Sequence, residues 1–490
     1  MYLVIILFLI SYIIQLFLYI TKLWRYRRFG GLLSGSLVIL ADILLAISYF
    51  NHLWFLTIEV ISVYELFSIY RSVFSKLQTD HLQRSSLFTT LRLLILALIL
   101  FAIEVVFNNS AYLTHHGWGI FAIGQLIVAI VLLKSTIRHN LITKKIKLTT
   151  ELVGSKVPTL TVAIPARNET ESLNECLTSL IETNYPKLEI LVLDDQSNVR
   201  RTPEIIRSFA HNGVIFVAGS EPPRGWLAKN WGYQRLLEAA NGEMILFCGA
   251  DCRFDIDSLR YLVSLMVNRD KTMVSIVPLN VMQAKMSQRL FQPLRYAWEI
   301  CLPRRMVSRP PVLSTCWIIN KKSLNHLGGF KSIKNRMSPE SYFASKVIKY
   351  DGYSFMRYDG VVSDKTNKDQ LETAIRVRYP QLRRQPEFVA LVTLTELTII
   401  FGLLGLFVFG LENTNWLIFA ISLISIFLYG VVFMMIGKIT YRKRSVLSFI
   451  SWPVEIFLDI WLVNLSMWKY EFGSVYWKGR SITTQVMSKN

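Results

Sequence analysis

Three short polar clusters in the middle of the chain carry residue types suited to binding a charged ligand. They are Pro165-Ala166-Arg167-Asn168-Glu169, Asp194-Asp195-Gln196-Ser197 and Gly249-Ala250-Asp251. Each follows a short run of β-branched and apolar residues that reads as a strand, at 161–165, 189–193 and 244–248. Ligands in open α/β sheets bind beyond the carboxyl ends of the strands, so three polar clusters at three such ends mark an active site. No G-x-x-x-x-G-K-[ST] loop is present and no G-x-G-x-x-G follows a strand. P-loop hydrolysis and dinucleotide redox chemistry therefore lose their usual supports.

The elements that must hold these clusters can be read from the same stretch. Further strands are expected at 214–218, 273–278 and 313–320, and helices at 171–183, 202–210, 227–240, 255–268 and 338–350. This alternation predicts an α/β domain, a Rossmann-like and mostly parallel sheet covered by helices. All five cysteines lie in this stretch with no C-x-x-C pair, as expected of reduced packing residues in a cytoplasmic domain.

The flanks differ. Of the 490 residues 52% are hydrophobic and only 18% charged, and the apolar ones concentrate before about residue 134 and after about residue 387. A membrane-crossing helix needs about 20 apolar residues. Candidate spans are 2–21, 32–50, 53–70, 93–110 and 115–133, then 388–410 and 416–437. The first ends in basic residues and lacks the small-residue cleavage site of a signal peptide, so it reads as retained. Basic connections (22–28, 71–92, 134–147 and 438–444) alternate with nearly uncharged ones, which places the N-terminus outside and the central domain in the cytoplasm.

A segment at 446–468 holds Pro453, Glu455 and Asp459 and precedes a basic tail. It is expected to be interfacial or re-entrant, which keeps that tail cytoplasmic. Glu104 and Glu396 lie inside spans, as structural or lipid-pocket carboxylates. The net charge of +20 gathers beside the apolar segments, where it meets lipid headgroups, and no nucleic acid partner is expected. The expected organisation is five spans over 1–133, a basic linker over 134–157, a cytoplasmic domain over 158–387, two spans over 388–437, and a basic loop, interfacial segment and tail over 438–490.

The run from Val157 to about Tyr358 resembles the family 2, GT-A fold, inverting glycosyltransferases. It looks closest to the membrane branch with ceramide glucosyltransferase and the carotenoid- and hopanoid-associated enzymes. The residues that carry the likeness are the Pro-Ala-Arg-Asn-Glu and Asp-Asp-x-Ser stretches and Gly225-Trp226-Leu227-Ala228-Lys229. Gly249-Ala250-Asp251 stands where the family has Asp-x-Asp, and Pro339-Glu340-Ser341-Tyr342-Phe343 resembles Glu-Asp-Tyr-Phe. Trp477-Lys478-Gly479-Arg480 resembles a tail motif of the carotenoid and hopanoid members.

The resemblance implies roles. Pro165, Arg167, Asn168, Glu169, Asp195, Lys229, Gly249 and Arg378 would bind the donor, with Asp195 accepting a hydrogen bond from the nucleotide base and Lys229 meeting phosphate. Asp251 would hold Mg²⁺ or Mn²⁺, which suits one carboxylate completed by phosphate oxygens and water. Three positions depart from the family. Gly249 replaces the first Asp of Asp-x-Asp, and Ile375 stands where a Gln-x-x-Arg-Trp motif would begin before Arg378-Tyr379. Ser341 occupies the place of the general base, and a serine hydroxyl is a poor base near neutral pH, so the base falls to adjacent Glu340. Arg383 and Arg384 are expected to meet lipid headgroups.

The implied function is an enzyme, a hexosyltransferase that moves sugar from a UDP- or GDP-linked donor to a membrane lipid. Its implied place is the cytoplasmic face of the plasma membrane. A processive polysaccharide synthase and a catalytically inactive binding protein remain as alternatives.

Overall fold

The computed structural model describes residues 2–21, 27–49, 59, 62–64, 66, 67, 69, 70, 111–144, 157–280, 297–301, 310–364, 367–440 and 446–487. The expected span at 93–110 with Glu104, most of that at 53–70, and the basic connection at 71–92 lie outside the described residues. The chain forms two compact units. One comprises Met1–Ile127, Ala374–Ile426 and Ile456–Val475, and the other Val128–Thr373, Phe427–Glu455 and Tyr476–Asn490.

In chain order the longer helices are α1 (Tyr2–Thr21), α2 (Arg27–Tyr49), α3 (Ala111–Lys144), α4 (Glu171–Ile181), α5 (Arg201–Ser208), α6 (Ala228–Ala239) and α7 (Ser258–Asn268). They continue as α8 (Lys321–His326), α9 (Pro339–Val347), α10 (Asn367–Gln381), α11 (Pro386–Glu412), α12 (Trp416–Thr440), α13 (Val446–Glu471) and α14 (Thr483–Met487). Eight strands form the main sheet: β1 (Leu160–Ala166), β2 (Leu188–Asp194), β3 (Val214–Ala218), β4 (Met244–Cys248), β5 (Cys252–Phe254), β6 (Met273–Asn280), β7 (Cys316–Asn320) and β8 (Tyr353–Ser363).

The strand order is β3-β2-β1-β4-β7-β6-β8-β5. The pairs β1–β2, β1–β4, β2–β3 and β6–β8 are parallel, and β4–β7, β6–β7 and β5–β8 are antiparallel. The sheet is mixed and mostly parallel, as the alternation of strands and helices in the sequence predicts. Strands covered on both faces read as unbroken apolar runs rather than alternating ones. Accordingly Met244-Ile245-Leu246-Phe247-Cys248 is buried at every position of β4. Helix α4 buries Leu173, Cys176, Leu177 and Leu180, the i, i+3, i+4, i+7 spacing of a single apolar face.

On another face of the sheet the core is aromatic. Phe247 of β4 stacks on Trp317 of β7 with ring centroids 4.5 Å apart, and the two residues are register partners. Tyr233 of α6 lies 4.9 Å from Phe247, Phe330 lies 5.4 Å from it, and Phe343 of α9 packs on Phe330 at 5.4 Å. All five rings are buried. The cluster therefore fixes α6 and α9 against the strand that leads to Gly249-Ala250-Asp251. Truncating one of these rings to Ala costs about 3–5 kcal/mol.

Among the described residues five helical stretches are long and apolar enough to cross a membrane: Phe29–Ile47, Gly117–Arg138, Pro386–Glu412, Trp416–Thr440 and Val446–Glu471. Helix α1 contributes a shorter apolar stretch, Ile6–Phe17. Helix α3 runs on to Lys144, so the first residues of the stretch read as a linker are helical. No Gly or Pro interrupts residues 125–144. Helix α13 is likewise continuous through Pro453. It turns Ile450, Val454, Phe457 and Trp461 outward and buries Glu455 and Asp459 among Trp452, Ile456, Leu462 and Val463. One of the points at which the chain passes between the units, Thr373/Ala374, falls within α10.

Candidate active site

Strands β2, β1 and β4 lie side by side, and the three polar clusters leave their carboxyl ends together. Ala166 is register partner to Asp194, which is in turn partner to Ala218 of β3. The Asp195 amide donates to the Ala166 carbonyl at 2.8 Å, which ties the first two clusters. Behind them Gly219 makes a close approach that only glycine permits: a Cβ there would lie 2.3 Å from the Asp194 carbonyl oxygen.

Arg167 is buried and donates through Nη1 to the Gln196 carbonyl at 2.8 Å, and to that of Asp195. Asn168 sits at a φ of 54° and works within the loops. Its amide donates to Ser197 Oγ at 2.9 Å, and its Oδ1 accepts from the Asn198 amide at 2.9 Å and the Val199 amide at 3.3 Å. Pro165 is the penultimate residue of β1. Its missing N–H is tolerated near a strand end. Glu169 pairs with Lys478 of the tail.

Asp195 is 3% exposed. Arg480 Nη1 donates to its Oδ1 and Oδ2 at 2.9 and 3.0 Å. Burial holds the Asp195 carboxyl above the usual carboxylate range, and the adjacent Arg480 guanidinium opposes that shift. Burial, together with the Arg167 charge, brings the Lys478 ammonium down to about 8.

Asp251 follows β4 and is oriented from the far edge of the sheet. Strand β5 pairs with β8, making Cys252 the register partner of Ser363. Ser363 Oγ then donates to Asp251 Oδ2 at 2.6 Å, and the Asp364 amide donates to the Asp251 carbonyl at 3.0 Å. Gly249 leaves room for the carboxylate, because a Cβ there would stand 2.3 Å from Asp251 Oδ1. Among the described residues no group of three or more His, Cys, Asp and Glu is arranged as a metal cage. An oriented carboxylate outside any such cage fits a hard cation completed by diphosphate oxygens and water, such as Mg²⁺ or Mn²⁺, and does not fit a structural zinc.

Lys229 and Glu340 come together from α6 and α9, with Nζ 3.9 Å from Oε2. Lys229 also lies over the Tyr233 ring, 5.3 Å from its centroid. Glu340 is buried, whereas Ser341, one residue on, is partly exposed. Asn230 holds the two helices in register. Its Nδ2 lies within hydrogen-bonding distance of the carbonyls of Ile333 (3.0 Å), Lys334 (3.1 Å) and Arg336 (2.8 Å), in the segment that leads into α9.

Arg378 has a buried ion-pair partner of its own. It belongs to the other unit, where Nη2 meets Asp459 Oδ1 at 2.9 Å with both side chains buried. Its neighbour Tyr379 donates its amide to Ser466 Oγ at 3.0 Å and its hydroxyl to Glu471. Arg383 and Arg384 form a turn with φ of 58° and 59°. Sequence reading did not single out Asn230, Ser363 or Gly219. A buried asparagine inside a helix is a signal that was available for the first; the other two have none that is local.

Residues 161–328 match the family model described as Glycosyl transferase family 2. Over 102 residues the chain is 32% identical to Glycosyltransferase AglE of Haloferax volcanii, covering 20% of this chain and 32% of that protein. Over 119 residues it is 29% identical to Probable glycosyltransferase YdaM of Bacillus subtilis, covering 24% and 28%. The chain thus matches between about a quarter and a third of the length of these relatives. A solved structure, mannosyltransferase PcManGT from Pyrobaculum calidifontis in complex with GDP-Man and Mn²⁺, aligns at 17% identity with a TM-score of 0.44. That alignment covers 72% of this chain and 99% of that one.

Strand order, the strand-end site and the family model define the class, a glycosyltransferase domain of GT-A architecture. The match to the Glycosyl transferase family 2 model spans residues 161–328, about a third of a chain whose described residues also hold five helices long and apolar enough to cross a membrane.

Proposed function

We propose that this chain transfers a sugar, with inversion, from a UDP- or GDP-linked donor to a lipid acceptor at the cytoplasmic face of the plasma membrane. One observation carries the reading: the Arg167, Asp195 and Asp251 clusters leave three adjacent strands at their carboxyl ends in a family 2 domain. Asp195 would read the base and Lys229 would meet the leaving diphosphate. Asp251, held by Ser363, is the residue that would carry Mg²⁺ or Mn²⁺, which supplies positive charge against the diphosphate. Glu340, turned inward beside Lys229, would take the acceptor proton, and Ser341 would line the acceptor side. The likeness to the ceramide, carotenoid and hopanoid branch supports a lipid acceptor.

The topology follows the same logic. If α11, α12 and α13 all crossed the bilayer, the tail would emerge on the face opposite the domain that precedes α11. The tail hairpin is hydrogen-bonded to that domain through Arg480 and Asp195. This supports an even number of crossings after the domain, with α13 lying along the interface.

The test uses membranes containing the full chain, supplied with Mn²⁺ and labelled UDP- and GDP-sugars. Label in the organic-soluble fraction that disappears with Asp251→Ala is the expected result. Label in an aqueous polymer would support a polysaccharide synthase instead, and no label with any donor would overturn the catalytic reading.

A further inference from the structure

The tail motif Trp477-Lys478-Gly479-Arg480 folds as a small hairpin. Its strands, β9 (Tyr476–Trp477) and β10 (Arg480–Ser481), pair with Arg480 opposite Trp477. The two turn residues have φ of 47° (Lys478) and 83° (Gly479), as in the I′ turns that match the twist of a hairpin. That turn aims three groups at the strand-end clusters. Arg480 clasps both carboxylate oxygens of Asp195, and its Nη2 donates to Gln196 Oε1 at 2.6 Å. Lys478 pairs with Glu169. The Lys478 carbonyl accepts from Arg167 Nε at 3.0 Å. Arg167, Glu169 and Asp195 are therefore each engaged by the tail.

The consequence falls on Asp195. A nucleotide base is recognised at a carboxylate through its N–H groups, and in this structure the guanidinium N–H groups occupy both oxygens. With the hairpin in place Asp195 is also almost wholly buried. We propose that Arg480 is a donor-site residue that stands in for the base N–H groups at Asp195, so the hairpin must lift for a nucleotide sugar to bind. The inference rests on the donor reading of Asp195 given above. Tyr476, Gly479 and Ser481 are exposed and Trp477, Lys478 and Arg480 partly so, so the turn can lift while the buried residues that flank it, Val475 and Ile482, stay in place.

The test is direct binding of UDP and GDP, with Mn²⁺, to the purified full chain in detergent. Two variants loosen the hairpin in different ways. Arg480→Gln removes the guanidinium. Gly479→Val strains the turn through its positive φ; a Cβ there meets nothing within 4 Å, so no packing is disturbed. Both variants are expected to bind nucleotide about tenfold or more tightly, the factor for losing a competing charge-assisted hydrogen bond. Unchanged affinity in Arg480→Gln would overturn the inference, because the guanidinium then does not compete. Weaker binding in either variant would overturn it in the opposite sense, making the hairpin a wall of the pocket. In both cases the donor reading would stand, since the native chain binds nucleotide. Absence of binding by the native chain and both variants would remove the donor reading itself, and the hairpin inference with it.

Discussion

Substituting Gly249 with alanine should act through Asp251, two residues away. The added Cβ would sit 2.3 Å from Asp251 Oδ1, well inside van der Waals contact. The carboxylate is the mobile partner, so its side chain must rotate out of the way. Rotation breaks the 2.6 Å hydrogen bond from Ser363 Oγ. A hydrogen bond to a charged group contributes about 1.5–3 kcal/mol, which corresponds to roughly ten- to hundredfold in the affinity of a site that depends on that orientation. The Mn²⁺ concentration that half-activates sugar transfer is therefore expected to rise by about that factor in Gly249→Ala. Ser363→Ala removes the same bond from its other end and should cost a similar amount. The double variant should cost little more than either single one, because both changes act on one contact. Gly249→Asp, which restores the first acid of the usual motif, meets the same obstruction and should not raise activity. An unchanged Mn²⁺ requirement in Gly249→Ala, or full additivity in the double variant, would refute the reasoning.

Other outcomes follow from the same geometry. Glu340→Gln should reduce transfer by at least about a hundredfold, a typical loss for a general base, with nucleotide affinity little changed; Ser341→Ala should keep most of the activity, and the reverse pattern would return the base to position 341. Asn230→Ala leaves the carbonyls of Ile333, Lys334 and Arg336 without their shared donor. It should lower stability by about 1–3 kcal/mol, read by thermal unfolding, and reduce kcat more than it raises donor KM because the start of α9 loosens. Arg378→Met removes the cation paired with buried Asp459 and should destabilise the chain by about 3–5 kcal/mol, part of which the added change Asp459→Leu should recover. Loss of nucleotide affinity in a stably folded Arg378→Met chain would show that Arg378 serves the donor after all.

The residues most readily read from sequence were those whose signal is local. Unbroken runs such as Met244 to Cys248 announce a strand buried on both faces. The apolar stretches near 388–410 and 416–437 announce helices long enough to cross a bilayer. Polar residues placed just after such runs announce a ligand site, because strand ends converge in any parallel sheet. Strand β5 has only Cys252-Arg253-Phe254, too short for any periodicity to register. Strand β8 mixes Arg357, Tyr358, Asp359 and Gly360 into its run, and its pairing with β6 shifts register between Pro278 and Leu279. Both escaped for that reason, and with them went the orientation of Asp251.

What the sequence determined by itself, then, was the α/β domain, its apolar flanks and the positions of its polar clusters. Tertiary structure alone decided which partners those clusters keep. Ser363 reaches Asp251 across 112 residues, and Arg480 reaches Asp195 across 285. It also turned Glu340 inward and left Ser341 partly exposed, and it drew Arg378 into a pair with Asp459. Periodicity and residue type report interactions within a few residues along the chain. A partner hundreds of residues away is chosen by the packing of the whole sheet and its aromatic core, which no single segment encodes.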